Sequence, residues 1–301
     1  MAYQFVRNVE GVFRRYEEVR HRLPRADFPR ESRECSGLVE IADQFDAALL
    51  DSFGVLNVGD KPIPGARECL AVLRSMGKRL IVLTNAASHA HRATVERYHR
   101  LGFDFAPEEI VSSRDVCARR LNGVSSVKRW GAIAACDDGF EDFDADLVRW
   151  DATSPTDVDG LLLLSSANLD GGTLDALEAE LRAHPKPLVV ANPDLAAPRQ
   201  EGLSKEPGYY GHGLADRLGL MPEFFGKPYR DAFSDALSKL DGIAWDRILM
   251  VGDTLHTDIL GGSAAGVRTV LVKGGGLFAG TSIRPFLAAS GIVPDFECVK
   301  I

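Results

Sequence analysis

The sequence has no apolar run approaching the ~18 residues that a membrane-spanning helix requires. Its opening, MAYQFVRNVEGVFRRYEEVRHRL, mixes acid and base where a secretion signal would carry an unbroken apolar stretch. A cytoplasmic location without a membrane partner is expected. Positive charge is also in deficit: 35 Lys and Arg against 43 Asp and Glu leave a formal net charge of -8. Nucleic-acid binders usually present a basic face, so no nucleic-acid partner is expected. Paired cysteines are missing as well. Cys35, Cys69, Cys117, Cys136 and Cys298 are dispersed and form no C-x-x-C, which argues against a zinc site or a disulfide framework. There is no internal repeat, low-complexity tract or heptad run.

What remains is a chain of 301 residues, 45% hydrophobic and 26% charged, long enough for two ordinary domains with substantial cores. An amphipathic helix begins it, with Phe5, Val9, Val12, Phe13 and Tyr16 near helical spacing, followed by the polar LPRADFPRESRECSG. Residues 1–39 therefore read as a helical extension ahead of the main fold. Apolar strands and helical segments then alternate through AALLDSF, PGARECLAVLRSMG, KRLIVLTNA and ATVERYHRLG. A second alternating region runs from SVKRWGAIAACD to KPLVVANPD, after which the first pattern resumes with DRILMVGDTLHTDILGGSAAG and RTVLVKGGG. The expected fold is α/β. A doubly wound, Rossmann-like, mostly parallel core spans residues 40–121 and 223–301 and is interrupted by an inserted α/β cap at 122–222.

Ligands of such sheets sit beyond the carboxyl ends of the strands, and the chemistry-bearing residues fall there. Asp51 follows ALL, Thr84 and Asn85 follow LIVL, Lys227 lies in FFGKPY, and Asp253 follows ILMV with Asp258 five residues on. Each alone has a plainer role: an Asp or Thr after a strand also caps the next helix, and a lone Lys in a G-K-P turn is usually solvated. Together, the carboxylates, the hydroxyl and the ammonium suit a metal-assisted phosphoryl site. A set of oxygen ligands fits magnesium better than zinc.

The ordered segments LLDSFGVL, LTNA, GKP and VGDTLHTD resemble the four motifs of the haloacid dehalogenase-like hydrolase superfamily. PIPGARECLAVLRSMGK, VSSRDVCARRL, ANPD and GKPYRDAF extend the likeness over most of residues 40–280 to the NagD-like branch, whose large α/β cap is inserted between the second and third motifs. The resemblance implies a Mg²⁺-dependent phosphatase of a small phosphorylated metabolite, such as a sugar phosphate or nucleotide. It implies Asp51 as the nucleophile that forms an aspartyl-phosphate and as a metal ligand, joined by the Phe53 backbone carbonyl and Asp253. Asp258 would stand in the outer shell, orienting a metal-bound water. Thr84 and Asn85 would hold the phosphoryl group, Lys227 would neutralise its charge, and Asn192 and Asp194 of ANPD would position substrate at the cap. Relatives of this branch often pair through the cap, so a homodimer enters as a candidate assembly.

One position departs from the pattern. Phosphatases of the superfamily usually carry a second aspartate two residues after the nucleophile, which protonates the leaving alcohol and then activates water; this chain has Phe53. Phenylalanine can neither donate nor accept a proton, and general acid–base catalysis is worth ~10²–10⁴-fold. Three readings follow. The first is a phosphatase with another proton route, through substrate, water, Asn57 or Asp60, that favours leaving groups of low pKa. The second is a phospho-ligand-binding or regulatory protein with weakened turnover. The third is a dehalogenase, since those relatives carry an aromatic residue here, although GDTLHTD suits a metal and a phosphate better. The first is carried forward.

The other candidates read more plainly. His89, His91 and His99 offer no i, i+4 metal pair and are taken as surface residues. GYYGHGLADRL does not follow a strand in the dinucleotide-binding order, though its place between cap and core would let Tyr209, Tyr210 and His212 face the substrate. KGGGLFAG reads as a flexible loop after the last core strand.

Overall fold

The computed structural model describes residues 8–153, 157–199 and 202–301; Phe5 lies outside them. Seven parallel strands form the core sheet in the order Arg33–Glu34, Phe296–Cys298, Arg268–Val272, Ile248–Gly252, Ala47–Leu50, Arg79–Thr84 and Ile110–Ser112. Every residue of Ala47–Leu50 and Ile248–Gly252 is buried, which is why AALL and ILMVG are unbroken apolar runs rather than alternating ones. Successive side chains still point to opposite faces. Ala48 and Leu50 pack with Leu70 and Leu73 of helix Ala66–Ser75, while Ala47 and Leu49 pack with Phe233 and Ala236 of helix Arg230–Leu237.

The chain leaves Ala47–Leu50 for Arg79–Thr84 on one side and returns, after the insertion, to Ile248–Gly252 on the other. That reversal is the switch point at which doubly wound sheets open a crevice beyond their carboxyl ends. Leu50 pairs with Val251 and Val82, and the next amide, of Asp51, donates to Val251 O at 2.9 Å. This register brings Asp51, Thr84 and Asp253 to neighbouring strand ends.

The inserted unit has its own parallel sheet, ordered Glu223–Phe224, Leu188–Val190, Gly160–Leu163, Arg129–Ile133, Asp146–Arg149. Because Glu223–Phe224 pairs with Leu188–Val190, the chain leaves the cap sheet after Phe224, two residues later than the sequence suggested. An antiparallel hairpin, Ala196–Arg199 with Gly202–Lys205, projects from the cap to the rim of the crevice.

The N-terminal segment is more than an extension ahead of the fold. Its helix, Val9–Glu18, is capped by the Asn8 side chain, which accepts from the Gly11 amide at 3.0 Å. Residues Arg33–Glu34 then form the edge strand of the core sheet. Buried Tyr16 stacks on core His256 with ring centroids 4.7 Å apart, and its hydroxyl accepts from the amide of cap residue Leu195 at 3.2 Å. Arg15 and Arg22 both pair with cap residue Asp216. The apolar stripe of the helix thus ties cap to core, a role its periodicity alone did not disclose. No helix among the described residues is long and apolar enough to cross a membrane.

Candidate active site

Asp51 is the first residue past its strand, 9% exposed, with its side chain in the crevice. Lys227 Nζ donates to Asp51 Oδ1 at 2.6 Å and stands 2.7 Å from Asp258 Oδ1. Carboxylate oxygens of Asp51, Asp253 and Asp258 lie within 4.8 Å of one another, all three residues buried. The segment Leu255–Ile259 is a single π-helical turn, a widened geometry often found at functional sites. It turns Asp258 back so that Oδ2 accepts from the Thr254 amide at 3.0 Å.

Glycines make this approach feasible. A Cβ on Gly252 would lie 2.1 Å from Asp258 Cγ, and one on Gly276 would lie 2.0 Å from Asp253 Oδ2. Asp253 Oδ2 also accepts from the Leu277 amide at 2.6 Å, and Oδ1 from the Thr254 hydroxyl at 2.9 Å. The stretch KGGGLFAG, expected to be a flexible loop, is therefore packed onto Asp253, with Leu277 and Phe278 buried. Its position after a core strand was the available signal; its glycines were read as flexibility when they serve close approach.

Electrostatics define what this cluster can hold. Like charges 4.8 Å apart repel by about 3.5 kcal/mol per pair at an effective dielectric near 20, and one ammonium offsets only one of three. Burial pushes Asp51 up to about 6, with Lys227 pulling it down and Asp258 pushing it up. Burial, then the charges of Asp51 and Asp258, hold Asp253 well above the usual carboxylate range. Burial also works against the Lys227 ammonium, but Asp258, Asp51 and Asp194 outweigh it, so its pKa stands above the ordinary lysine value. A buried, oxygen-only, over-negative donor set of this kind fits a hard divalent cation. The Phe53 carbonyl accepts no backbone hydrogen bond among the described residues.

The second motif braces the first. Thr84 Oγ1 accepts from the Ala86 amide at 3.3 Å, leaving its hydroxyl hydrogen free to donate. Asn85 grips Lys227 through both backbone groups: Oδ1 accepts from its amide at 2.7 Å, and Nδ2 donates to its carbonyl at 2.9 Å. The same Nδ2 donates to cap residue Asp194 Oδ1 at 2.8 Å, so Asn85 links core and cap. Asn192 Oδ1 accepts from the Asp194 amide at 2.9 Å and its Nδ2 donates to Glu206 at 3.2 Å. Burial pushes the Asp194 carboxyl up to about 8, opposed by Lys227 and reinforced by Asp51.

Asp51, Phe53, Thr84, Asn85, Asn192, Asp194, Lys227 and Asp253 all line one cleft of about 240 Å³; Asp258 lies behind Lys227. Other expectations are revised. Tyr209, Tyr210 and His212 are buried in helix Pro207–Leu218 and do not reach the cleft. The glycines of that helix let it close on the cap: a Cβ on Gly208 would lie 2.1 Å from Pro193 O, beside Asp194. Asn57 cannot relay protons freely, because Ser52 Oγ donates to its Oδ1 at 2.8 Å and its Nδ2 donates to Gly59 O at 2.7 Å. Half-buried His91 is paired with Asp115 at 2.9 Å, whereas His89 and His99 are exposed.

Several cleft residues were not foreseen, His89, Tyr98 and Glu206 among them, and two of them place charge over Phe53. Arg97, on helix His91–Arg100, and Arg199, on the cap hairpin, stack on Phe53 with guanidinium carbons 5.0 and 4.8 Å from the ring centroid. They lie about a hundred residues apart in sequence, and nothing local marks either one.

With that geometry in place, the relatives are informative. A family model described as haloacid dehalogenase-like hydrolase matches residues 48–142, and a second, HAD-hydrolase-like, matches 224–295. The chain belongs to the haloacid dehalogenase-like hydrolases, and its fold, inserted α/β unit included, is similar to that of NagD from E. coli K-12, with a TM-score of 0.65 over 85% of this chain. The D-glycerol 3-phosphate phosphatase of Mycobacterium tuberculosis is 30% identical over 240 residues, covering 78% of this chain and 65% of that protein. The chain thus spans just under two-thirds of that relative's length. The structure of a possible sugar phosphatase from Cytophaga hutchinsonii superimposes with a TM-score of 0.78 at 26% identity, covering 89% of this chain and 98% of the other. That of the Mycobacterium tuberculosis glycerol phosphate phosphatase in complex with magnesium gives 0.67 at 26% identity, covering 85% and 75%.

Proposed function

We propose that the protein is a Mg²⁺-dependent phosphatase of small phosphorylated metabolites that works through an aspartyl-phosphate on Asp51. The observation that carries this reading is the buried Lys227 ammonium, 2.6 Å from Asp51 and 2.7 Å from Asp258, beside Asp253 at the switch-point cleft. The relatives named as sugar and glycerol phosphate phosphatases, one of them bound to magnesium, support it.

Asp51, Asp253 and the Phe53 carbonyl would hold the cation, with Asp258 behind them. When bound, it supplies positive charge that neutralises the carboxylates and draws charge from the phosphoryl oxygens. Lys227 and the Thr84 hydroxyl hold those oxygens from the protein side. The Asp51 carboxylate oxygen not engaged by Lys227 attacks phosphorus: a bond forms between Asp51 and phosphorus, the ester P–O bond breaks, and its electron pair departs on the alcohol oxygen. Water then attacks the acyl phosphate, releasing inorganic phosphate and restoring the carboxylate. Asn85 fixes the Lys227 backbone, while Asn192 and Asp194 set the cap wall.

Phe53 supplies no proton to the leaving oxygen, and its arginine neighbours stay charged. Turnover therefore depends on the leaving group, and an aryl phosphate should outpace an alkyl one. Phosphate release from glycerol 3-phosphate and 4-nitrophenyl phosphate, with and without Mg²⁺, tests the reading against Asp51→Asn. Metal-dependent release that disappears in the variant is expected. Equal release by both proteins would remove Asp51 as the nucleophile.

A further inference from the structure

The residue that replaces the acid–base aspartate has a geometry of its own. Two guanidinium groups sit over the Phe53 ring, Arg97 of the core and Arg199 of the cap, both lining the cleft. Each is held by groups of its own domain. Arg97 Nη2 donates to Gly59 O at 2.6 Å; Arg199 Nε donates to Ser204 Oγ at 3.0 Å and its Nη2 to Glu206 Oε1 at 2.9 Å. The other partner of Arg97, Asp60, stands 3.3 Å away with its side chain 91% exposed, a weak contact. Among the described residues no ion pair joins either arginine to the opposite domain, and Nη1 of each makes no hydrogen bond. A latch between cap and core would set each cation against a carboxylate of the opposite domain. Here two guanidinium groups from opposite domains meet at one ring, each with a carboxylate of its own domain, Asp60 or Glu206, beside it in the cleft wall.

A guanidinium stacked on an aromatic face keeps its N–H edge available for a planar or tetrahedral anion. We infer that Arg97 and Arg199, held on Phe53, bind a second anionic group of the substrate, so that the preferred substrate class is a small phosphorylated compound carrying a carboxylate or a second phosphoryl group. This rests on the phosphatase reading for the place of the first phosphoryl group, at Lys227 and Thr84. The second anion joins core to cap and draws the cap closed. Phe53 is then a specificity-determining residue: its ring replaces proton chemistry with the alignment of two arginines.

Binding to the Asp51→Asn protein in Mg²⁺ buffer, measured by calorimetry, tests this without turnover. Two matched pairs serve as probes: 3-phosphoglycerate against glycerol 3-phosphate, which differ in a carboxylate, and glucose 1,6-bisphosphate against glucose 6-phosphate, which differ in a phosphoryl group. At least one doubly anionic member should bind ~10-fold or more tightly than its partner, and Arg97→Gln or Arg199→Gln should erase most of that ratio. The pair that shows it identifies the second anion. Equal affinities within both pairs would overturn the inference, as would a preference that survives both arginine substitutions. If one arginine variant fails to fold, the other, or the charge-keeping Arg97→Lys and Arg199→Lys against which it is compared, decides. A preference present alongside no phosphate release by the parent would sink the phosphatase reading and leave this inference standing.

Discussion

Replacing Lys227 by methionine removes the ammonium between Asp51 and Asp258 while keeping most of the side chain's bulk. The lysine is 1% exposed, with contacts of 2.6 and 2.7 Å, so water has little access to take its place. Removing one member of a buried ion pair typically costs ~3–5 kcal/mol, because the charges left behind stay buried and uncompensated. At about 2 °C per kcal/mol for a chain of this length, the metal-free Tm should fall by about 6–10 °C. Mg²⁺ should restore more stability to the variant than to the parent, since the variant cluster retains one more negative charge. Going from about pH 8 to about pH 5 should narrow the gap, because carboxylates deprived of the lysine take up protons instead. Scanning calorimetry under these conditions measures all three effects, and phosphate release should drop by about 10²-fold or more. An unchanged metal-free Tm, or a deficit equal at both pH values, would refute the assignment of Lys227 as the neutralising charge.

Further outcomes follow from the cleft. Asp194 has a folded-state pKa of about 8, above the ordinary aspartate value, so the folded state holds a proton that the unfolded chain releases. Its contribution is full below about pH 4 and is lost as pH rises toward about 8, worth at most about 6 kcal/mol; Asp194→Asn should flatten that slope in a Tm-against-pH series, and an unaltered slope would exclude this carboxyl as its source. Because Asp194 is held by Asn85 as part of the cap wall, Asp194→Asn should change glycerol 3-phosphate and 4-nitrophenyl phosphate hydrolysis to the same extent; a loss confined to the alkyl ester would make it a proton donor instead. Phe53→Asp should yield less than the full ~10²–10⁴-fold of a general acid on glycerol 3-phosphate, since Arg97 and Arg199 would hold the new carboxylate ionised. Adding Arg199→Gln should raise the gain, and a single variant already at the full gain would contradict that electrostatic brake.

Much of the site was legible because it is built from strand ends. A buried strand followed by Asp51, Thr84 or Asp253 states in one short segment both where the residue lies and what chemistry it carries, and parallel pairing brings such ends together. Lys227 was legible only through the ordered motif set. Arg97 and Arg199 were not, since their meeting over Phe53 depends on how the cap hairpin is set on the core. Glycine misled twice for one physical reason. In KGGGLFAG and GYYGHGLADRL the missing side chain marks close approach, to Asp253 and to the Pro193 carbonyl, and sequence alone does not separate that use from flexibility. The N-terminal helix was found by its periodicity, but the surface it covers, His256 on one domain and Leu195 on the other, is a property of the assembled fold.

A covalent phosphoryl group on Asp51 is the central chemical claim. Rapid acid quenching during turnover, followed by mass spectrometry of the peptide containing Asp51, tests it most directly. A phosphoryl group on that residue in the parent with Mg²⁺, absent without the metal and absent in Asp51→Asn, is the expected result. Sustained phosphate release with no label on Asp51, or with the label on another residue, would contradict it.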